Sequence, residues 1–163
     1  MNIRPAILKD LYRIVEIHNQ AIEKRKYTGI LTPFEYEDRM KWFLFHENSH
    51  YPLLVAEIDK KVVGWISAEP YRGGREAFHR TAEISYWVDE LYRNQGIGEA
   101  LLKELILHTR KVGFKTLMAI TFHTNEVSNH MLVKNNFKEW ARFPELGDID
   151  GIALDHMFFG LIL

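Results

Sequence analysis

Two stretches of the chain carry residue types and spacings suited to chemistry. The first is Arg93-Asn94-Gln95-Gly96-Ile97-Gly98. It follows an apolar, β-branched and aromatic segment, Ala82 to Val88, and precedes a run in which Leu101, Leu102, Leu105, Ile106 and Val112 recur at the helical period. A strand entering a glycine-punctuated loop that opens a helix presents unpaired backbone N–H groups at the positive end of the helix, where phosphate oxygens bind. Glycine at 96 and 98 permits positive φ and close approach of an anion. The same glycines also suit an ordinary loop–helix junction, and G-x-G alone does not separate the two readings. The triphosphate loop G-x-x-x-x-G-K-[ST] is absent. The dinucleotide fingerprint lacks its third glycine and its place after a first strand.

The second stretch is the strand from Arg80 to Val88. Thr81, Glu83, Ser85 and Trp87 alternate with Ala82, Ile84, Tyr86 and Val88. The first face is polar for the middle of a sheet and carries Glu83, whose apolar neighbours would raise its pKa. Glu83 reads equally as a general base or as a carboxylate on the solvent side of a sheet. His46-Glu47-Asn48-Ser49-His50 matches H-E-x-x-H in letters, but Pro52 ends any helix there and no third ligand follows, so no metal site is expected.

The elements that position these residues follow from local signals. A short strand at Ile3-Arg4 precedes a helix with Leu11, Ile14, Val15, His18, Ala21 and Ile22 on one face. Thr32-Pro33-Phe34-Glu35 reads as a capping box, which predicts a second helix from there to about Phe45. Leu53–Ile58 and Val62–Ala68 form a hairpin about Asp59-Lys60-Lys61, and Pro70 to His79 is an exposed loop. A helix from Gly98 to Val112 closes at Gly113, and Thr116–Thr121 is a strand. Asn125 caps a helix running to about Lys134, with Asn135-Asn136 as a left-handed exit. Phe137–Arg142 and Ile152–Leu163 complete the sheet. The order β-α-α-β-β-β-α-β-α-β-β requires an α/β fold with a mixed sheet, and residues 1–163 read as one domain.

Bulk properties narrow the function. With 163 residues, 47% hydrophobic and 26% charged, the chain suits a globular domain. A net charge of −1 without a basic block argues against nucleic acid. The absence of cysteine excludes disulfides, thiolate ligands and an acyl-cysteine intermediate. No signal-peptide core and no run of about 18 apolar residues appears, so a cytoplasmic protein without membrane attachment is expected.

Thr81-Ala82-Glu83-Ile84-Ser85-Tyr86-Trp87-Val88, Leu91 through Gly98 and Ala100-Leu101-Leu102 together resemble motif A of the GCN5-related N-acetyltransferases (GNAT), [QR]-x-x-G-x-[GA]. Asp38-Arg39-Met40-Lys41-Trp42-Phe43, Leu54-Val55-Ala56-Glu57, and Phe143-Pro144-Glu145-Leu146-Gly147 with Leu154-Asp155 extend the likeness to the phosphinothricin acetyltransferase subfamily nearly end to end. The resemblance implies the GNAT fold, a homodimer, and acetyl-CoA-dependent acetylation of a small amino-acid-like amine, with no metal. It implies Glu83 as general base. It also implies main-chain contacts from Tyr86, Trp87 and Val88 to pantetheine, a pyrophosphate loop of Arg93, Asn94, Gln95, Gly96, Ile97, Gly98 and Glu99, and a coenzyme A contact from Asn125. Arg72, or Arg75 in its place, is implied as the grip on an acceptor carboxylate. Leu132 stands where relatives place a tyrosine or histidine proposed as acid, and His123 reads as a hydrogen-bonded loop histidine. Another amine (a polyamine or a protein N-terminus), a non-catalytic acyl-CoA-binding protein and a zinc hydrolase are the alternatives.

Overall fold

The computed structural model describes residues 1–163. In chain order it comprises β1 (Asn2–Pro5), α1 (Leu11–Glu23), α2 (Tyr36–Glu47), β2 (Leu53–Ile58), β3 (Lys61–Pro70), β4 (Thr81–Val88), α3 (Ile97–Val112), β5 (Thr116–Phe122), α4 (Glu126–Lys134), β6 (Lys138–Ile149) and β7 (Ile152–Ile162). The order is the expected one. The strands form one sheet, β1-β2-β3-β4-β5-β7-β6, antiparallel throughout except between β4 and β5. A parallel pair needs a crossover, and α3 supplies it.

Helices cover both faces of the sheet. Leu101, Leu102 and Leu105 of α3 and Leu132 of α4 pack on Ile66, Ala82, Ile84 and Leu117. On the other face Leu11, Ile14 and Ile17 of α1 and Phe43 of α2 cover Val55 and Trp65. The helical face predicted for α1 is buried as expected. The first turn of α3 lies close against the sheet because residue 64 is glycine. A Cβ there would stand 3.2 Å from Leu101 Cδ1 and 3.3 Å from Ile97 Cγ2.

Two expectations need correction. The second helix begins at Tyr36, not at Thr32: the Asn19 side chain donates to Phe34 O (2.8 Å) and accepts from Phe34 N–H (2.9 Å), holding that residue out of the helix. The Asp38 carboxylate then accepts from Glu35 N–H at 2.9 Å, a capping contact three residues later than predicted. The strand expected over 137–142 runs instead to Ile149. Asp150 and Gly151 turn it with φ of 54° and 81°, a two-residue hairpin turn joining it to β7.

The feature that shapes the site is where β4 and β5 part. Their pairing runs from Thr81↔Thr116 to Ile84↔Ala119 and stops, although both strands continue. Ser85 to Val88 therefore faces an open fork on that side, with its backbone free to pair with a ligand.

Candidate active site

The loop between β4 and α3 is set by residues around it. Asp89, almost fully buried, pairs with Arg13 of α1, and its carboxylate accepts from Leu91 N–H at 2.8 Å. Its own N–H donates to Val63 O at 2.9 Å. Arg93 donates to Val88 O at 3.3 Å, drawing the loop back to the strand. Asn94 and Gly96 then take φ of 60° and 78°. Gly96 precedes α3 without offering a capping side chain, and the first helical bond runs from Ala100 N–H to Gly96 O. The N–H groups of Ile97, Gly98 and Glu99 are thereby left unpartnered beside the fork, which is the donor set a pyrophosphate needs. A Cβ built on Gly96 meets nothing within 4 Å, so that side of the loop is open. The Glu99 carboxylate does not contest the site as a free anion. Hydrogen bonds from Lys103 (2.8 Å) and Lys134 (2.7 Å) draw it down to about 2.

Glu83 is the last residue but one of β4 still paired to β5, half-buried on the α1/α2 face. It is not paired with Arg80 or His79, whose side chains go to Gly113 O (3.0 Å) and Glu76 O (2.7 Å). The cross-strand partner is Glu69 of β3, and the register continues as Ser67↔Ser85 and Trp65↔Trp87. Glu69 is held by Trp42 Nε1–H at 3.1 Å and Ser67 Oγ–H at 3.2 Å, whereas Glu83 accepts no hydrogen bond from the protein. Burial, and then the Glu69 charge, raise the Glu83 pKa. The pair is thus asymmetric: one carboxylate is fixed by donors, and the other is left available to take up a proton. Sequence reading attributed the raised pKa to apolar neighbours and missed Glu69. The signal was present, since Trp65, Ser67 and Glu69 repeat in reverse the series Glu83, Ser85, Trp87, as a hairpin about residues 70–80 demands.

The remaining expected residues are placed as follows. Tyr86, Trp87 and Val88 line the open edge of β4. The Tyr86 and Ser128 hydroxyls share a hydrogen bond across to α4, and burial pushes the phenol up to about 12. Asn125 caps α4, its Oδ1 accepting from Ser128 N–H at 3.4 Å. His123 is a hydrogen-bonded loop histidine, its Nδ1 accepting from Asp155 N–H at 3.0 Å. Leu132 is wholly buried in the core. Arg72 and Arg75 are exposed in the loop after β3 and pair with no carboxylate. In the H-E-x-x-H stretch, His46 is buried with its Nδ1 on Tyr51 O at 3.1 Å, while His50 stacks on Phe114.

A fork between parallel strands lies beside a helix N-terminus with free donors, an arrangement suited to a long phosphate-bearing ligand, and an unpaired carboxylate stands next to it. Residues 14–137 match the acetyltransferase (GNAT) family, and the chain belongs to it, as an N-acetyltransferase. YwnH of Bacillus subtilis (strain 168), assigned by name to the phosphinothricin acetyltransferases, is 38% identical over 98% of both chains. The L-methionine sulfoximine/L-methionine sulfone acetyltransferase of Pseudomonas aeruginosa PAO1 is 31% identical over 99% of this chain and 94% of its own. Among solved structures, a ribosomal-protein-alanine N-acetyltransferase from Brucella melitensis superposes with a TM-score of 0.96 at 32% identity, covering 100% of both chains. A phosphinothricin acetyltransferase from Sinorhizobium meliloti, in complex with acetyl-CoA, gives 0.95 at 26% identity, covering 99% of this chain and 88% of that one.

Proposed function

We propose that the chain, acting as one domain over residues 1–163, transfers the acetyl group of acetyl-CoA to the amino group of a small amino-acid-like acceptor, with Glu83 as general base. The observation that carries this reading is Glu83 itself: half-buried, free of protein partners, opposite Glu69, and next to the point where β4 leaves β5. The unpartnered N–H groups of α3 support pyrophosphate binding by the loop Arg93 to Glu99. The free edge of Ser85–Val88 supports strand-like pairing with the pantetheine arm, with Asn125 at the far side. Relatives named for phosphinothricin and methionine sulfone support the acceptor class.

The reaction follows from these placements. An ammonium nucleophile loses its proton to Glu83, directly or through one water, and the neutral nitrogen attacks the thioester carbon. A main-chain N–H near Val88 stabilises the oxyanion. The C–S bond then breaks, the attacking nitrogen keeps the acetyl group and gives up its second proton, and the thiolate takes up that proton, directly or through water, to leave as coenzyme A. Because the chain has no cysteine, the acetyl group is not parked on a thiol of the enzyme. Coenzyme A is a good enough leaving group that the missing acid at Leu132 costs less than loss of the base would. Arg72, with Arg75 as its rival, is the loop candidate for meeting an acceptor carboxylate, a role for which Arg39 competes. The protein is further proposed to work in the cytoplasm as a homodimer.

Coenzyme A release measured across amino acids, amino-acid sulfones and sulfoximines, polyamines and peptides tests the reading. Turnover is expected with the amino-acid-like members. Turnover confined to polyamines or peptide N-termini would change the acceptor class, and tight acetyl-CoA binding with no turnover would make the chain a sensor.

A further inference from the structure

The α1/α2 side of the sheet holds three groups whose hydrogen-bonding capacity is unspent. Arg39 of α2 lies with its guanidinium 3.8 Å from the Trp42 ring centre and 4.8 Å from that of Phe34, and it makes no hydrogen bond or ion pair. Arg4, Arg13, Arg25 and Arg142 all have carboxylates. His18, only 5% exposed, has no partner on either ring nitrogen, and Trp87 Nε1–H has none either. These groups are contiguous: His18 stacks on Trp87 at 5.0 Å and meets Phe34 at 5.4 Å, and Phe34 carries Arg39 on its ring.

Such an arrangement is costly for groups left without partners. Burial disfavours the charge on Arg39, whose pKa it lowers, and Glu69 compensates only from a distance beyond an ion pair. Burial together with Arg39 brings His18 down to about 3, so His18 is neutral and keeps one N–H donor. A guanidinium stacked on two rings has few orientations left and presents its fork of donors ready-made for an oxyanion. Trp42 couples this corner to the carboxylates, since its ring face bears Arg39 while its Nε1–H fixes Glu69 opposite Glu83. The face thus has a basic end and an acidic end, as an acceptor with an anionic and an ammonium end requires.

We infer that the acceptor carries an anionic oxygen group and that Arg39, stacked on Trp42 and Phe34 with its own donors unspent, is the residue that binds it. The inference rests on the acetyltransferase reading for the amine end but can be tested apart from turnover. The anionic group is either the α-carboxylate or an acid on the acceptor's side chain, and the probes separate them.

L-Methionine sulfone, its α-carboxamide and phosphinothricin are titrated into the coenzyme A-saturated protein and assayed as acceptors with wild type, Arg39→Gln and Arg39→Lys. Loss of a charged, forked hydrogen-bonding partner should weaken binding by about 10- to 100-fold. Arg39→Gln should raise the acceptor KM by that factor, leave the acetyl-CoA KM unchanged and alter kcat little, with Arg39→Lys between. An effect on methionine sulfone that vanishes with its carboxamide assigns the carboxylate to Arg39. An effect confined to phosphinothricin assigns the side-chain acid. Equal affinity of Arg39→Gln and wild type for all three probes, or the whole effect residing in Arg72→Ala or Arg75→Ala, overturns the inference. So does failure of the wild type to bind any of them. Binding without turnover would instead leave Arg39 standing and remove the acetyl-transfer reading for these acceptors.

Discussion

A carboxylate serves as a base for an ammonium only when it is ionised at working pH and yet more basic than in water. Burial, and then the charge of Glu69 across the strand, held in place by Trp42 and Ser67, move Glu83 toward greater basicity. The raised pKa has two consequences of opposite sign. The rate needs the ionised form, so kcat/KM should fall as pH drops through the folded-state pKa, at a pH above the ordinary glutamate range of about 4.3. Stability runs the other way: the fold disfavours the charged form, so its contribution is present below the unfolded pKa and lost as pH rises through the folded one. Glu83→Gln should therefore lower the rate by roughly 10²–10⁴-fold with acetyl-CoA affinity barely changed, and that loss should shrink as pH approaches the acceptor's own pKa. The same variant should melt higher than wild type at neutral pH and equal to it near pH 3. A mutant with near-normal turnover at neutral pH, or one that melts lower there, would remove Glu83 from the mechanism. Glu83 was legible as a candidate from strand alternation. Glu69 was readable only by pairing two strands, through the mirrored series Trp65, Ser67, Glu69 and Glu83, Ser85, Trp87, whereas the surroundings of Arg39 and His18 were not, because they depend on which helices pack above the sheet.

At the scale of elements, legibility followed how local the determinant is. The strand–loop–helix unit from β4 to α3 was readable because glycine placement and apolar period are written within about twenty residues of each other. The start of α2 was not: Thr32-Pro33-Phe34-Glu35 has the letters of a capping box, and Asn19 on another helix overrides it by occupying both backbone groups of Phe34. The long β6 was cut short because the Asp150-Gly151 turn signal was passed over. The loop's own prediction lies at Gly96. With φ of 78° and open space where a Cβ would point, valine there costs backbone strain of about 1–3 kcal/mol and projects a branched side chain to where a phosphate oxygen must come. Gly96→Val should remain folded by circular dichroism and lose acetyl-CoA affinity by calorimetry. Unchanged affinity in a folded variant would mean that the pyrophosphate is held elsewhere.

For the molecule as a whole, the two edges of the sheet are unequal. β1 is four residues long and ends in Pro5, a short edge of the kind that resists pairing. β6 spans twelve residues along the opposite edge, and its Trp140, Phe143 and Leu146 are 46%, 45% and 64% exposed. A long edge strand carrying exposed apolar side chains is a surface that another chain covers, and a second copy of this one is the proposed occupant. The aromatic residues from Trp42 to Phe45, by contrast, largely serve the α1/α2 face, with Phe43 buried and Trp42 bound to Glu69. Light scattering at micromolar concentration should return twice the chain mass of 19.3 kDa. Leu146→Arg should shift the protein to monomer by placing like charges on facing copies, and should make its melting temperature independent of concentration where that of wild type is not. On a monomeric wild type the same exposed substitution would change stability by no more than about 0.5 kcal/mol and leave the mass unmoved, so a single-chain mass for the wild type sinks the dimer.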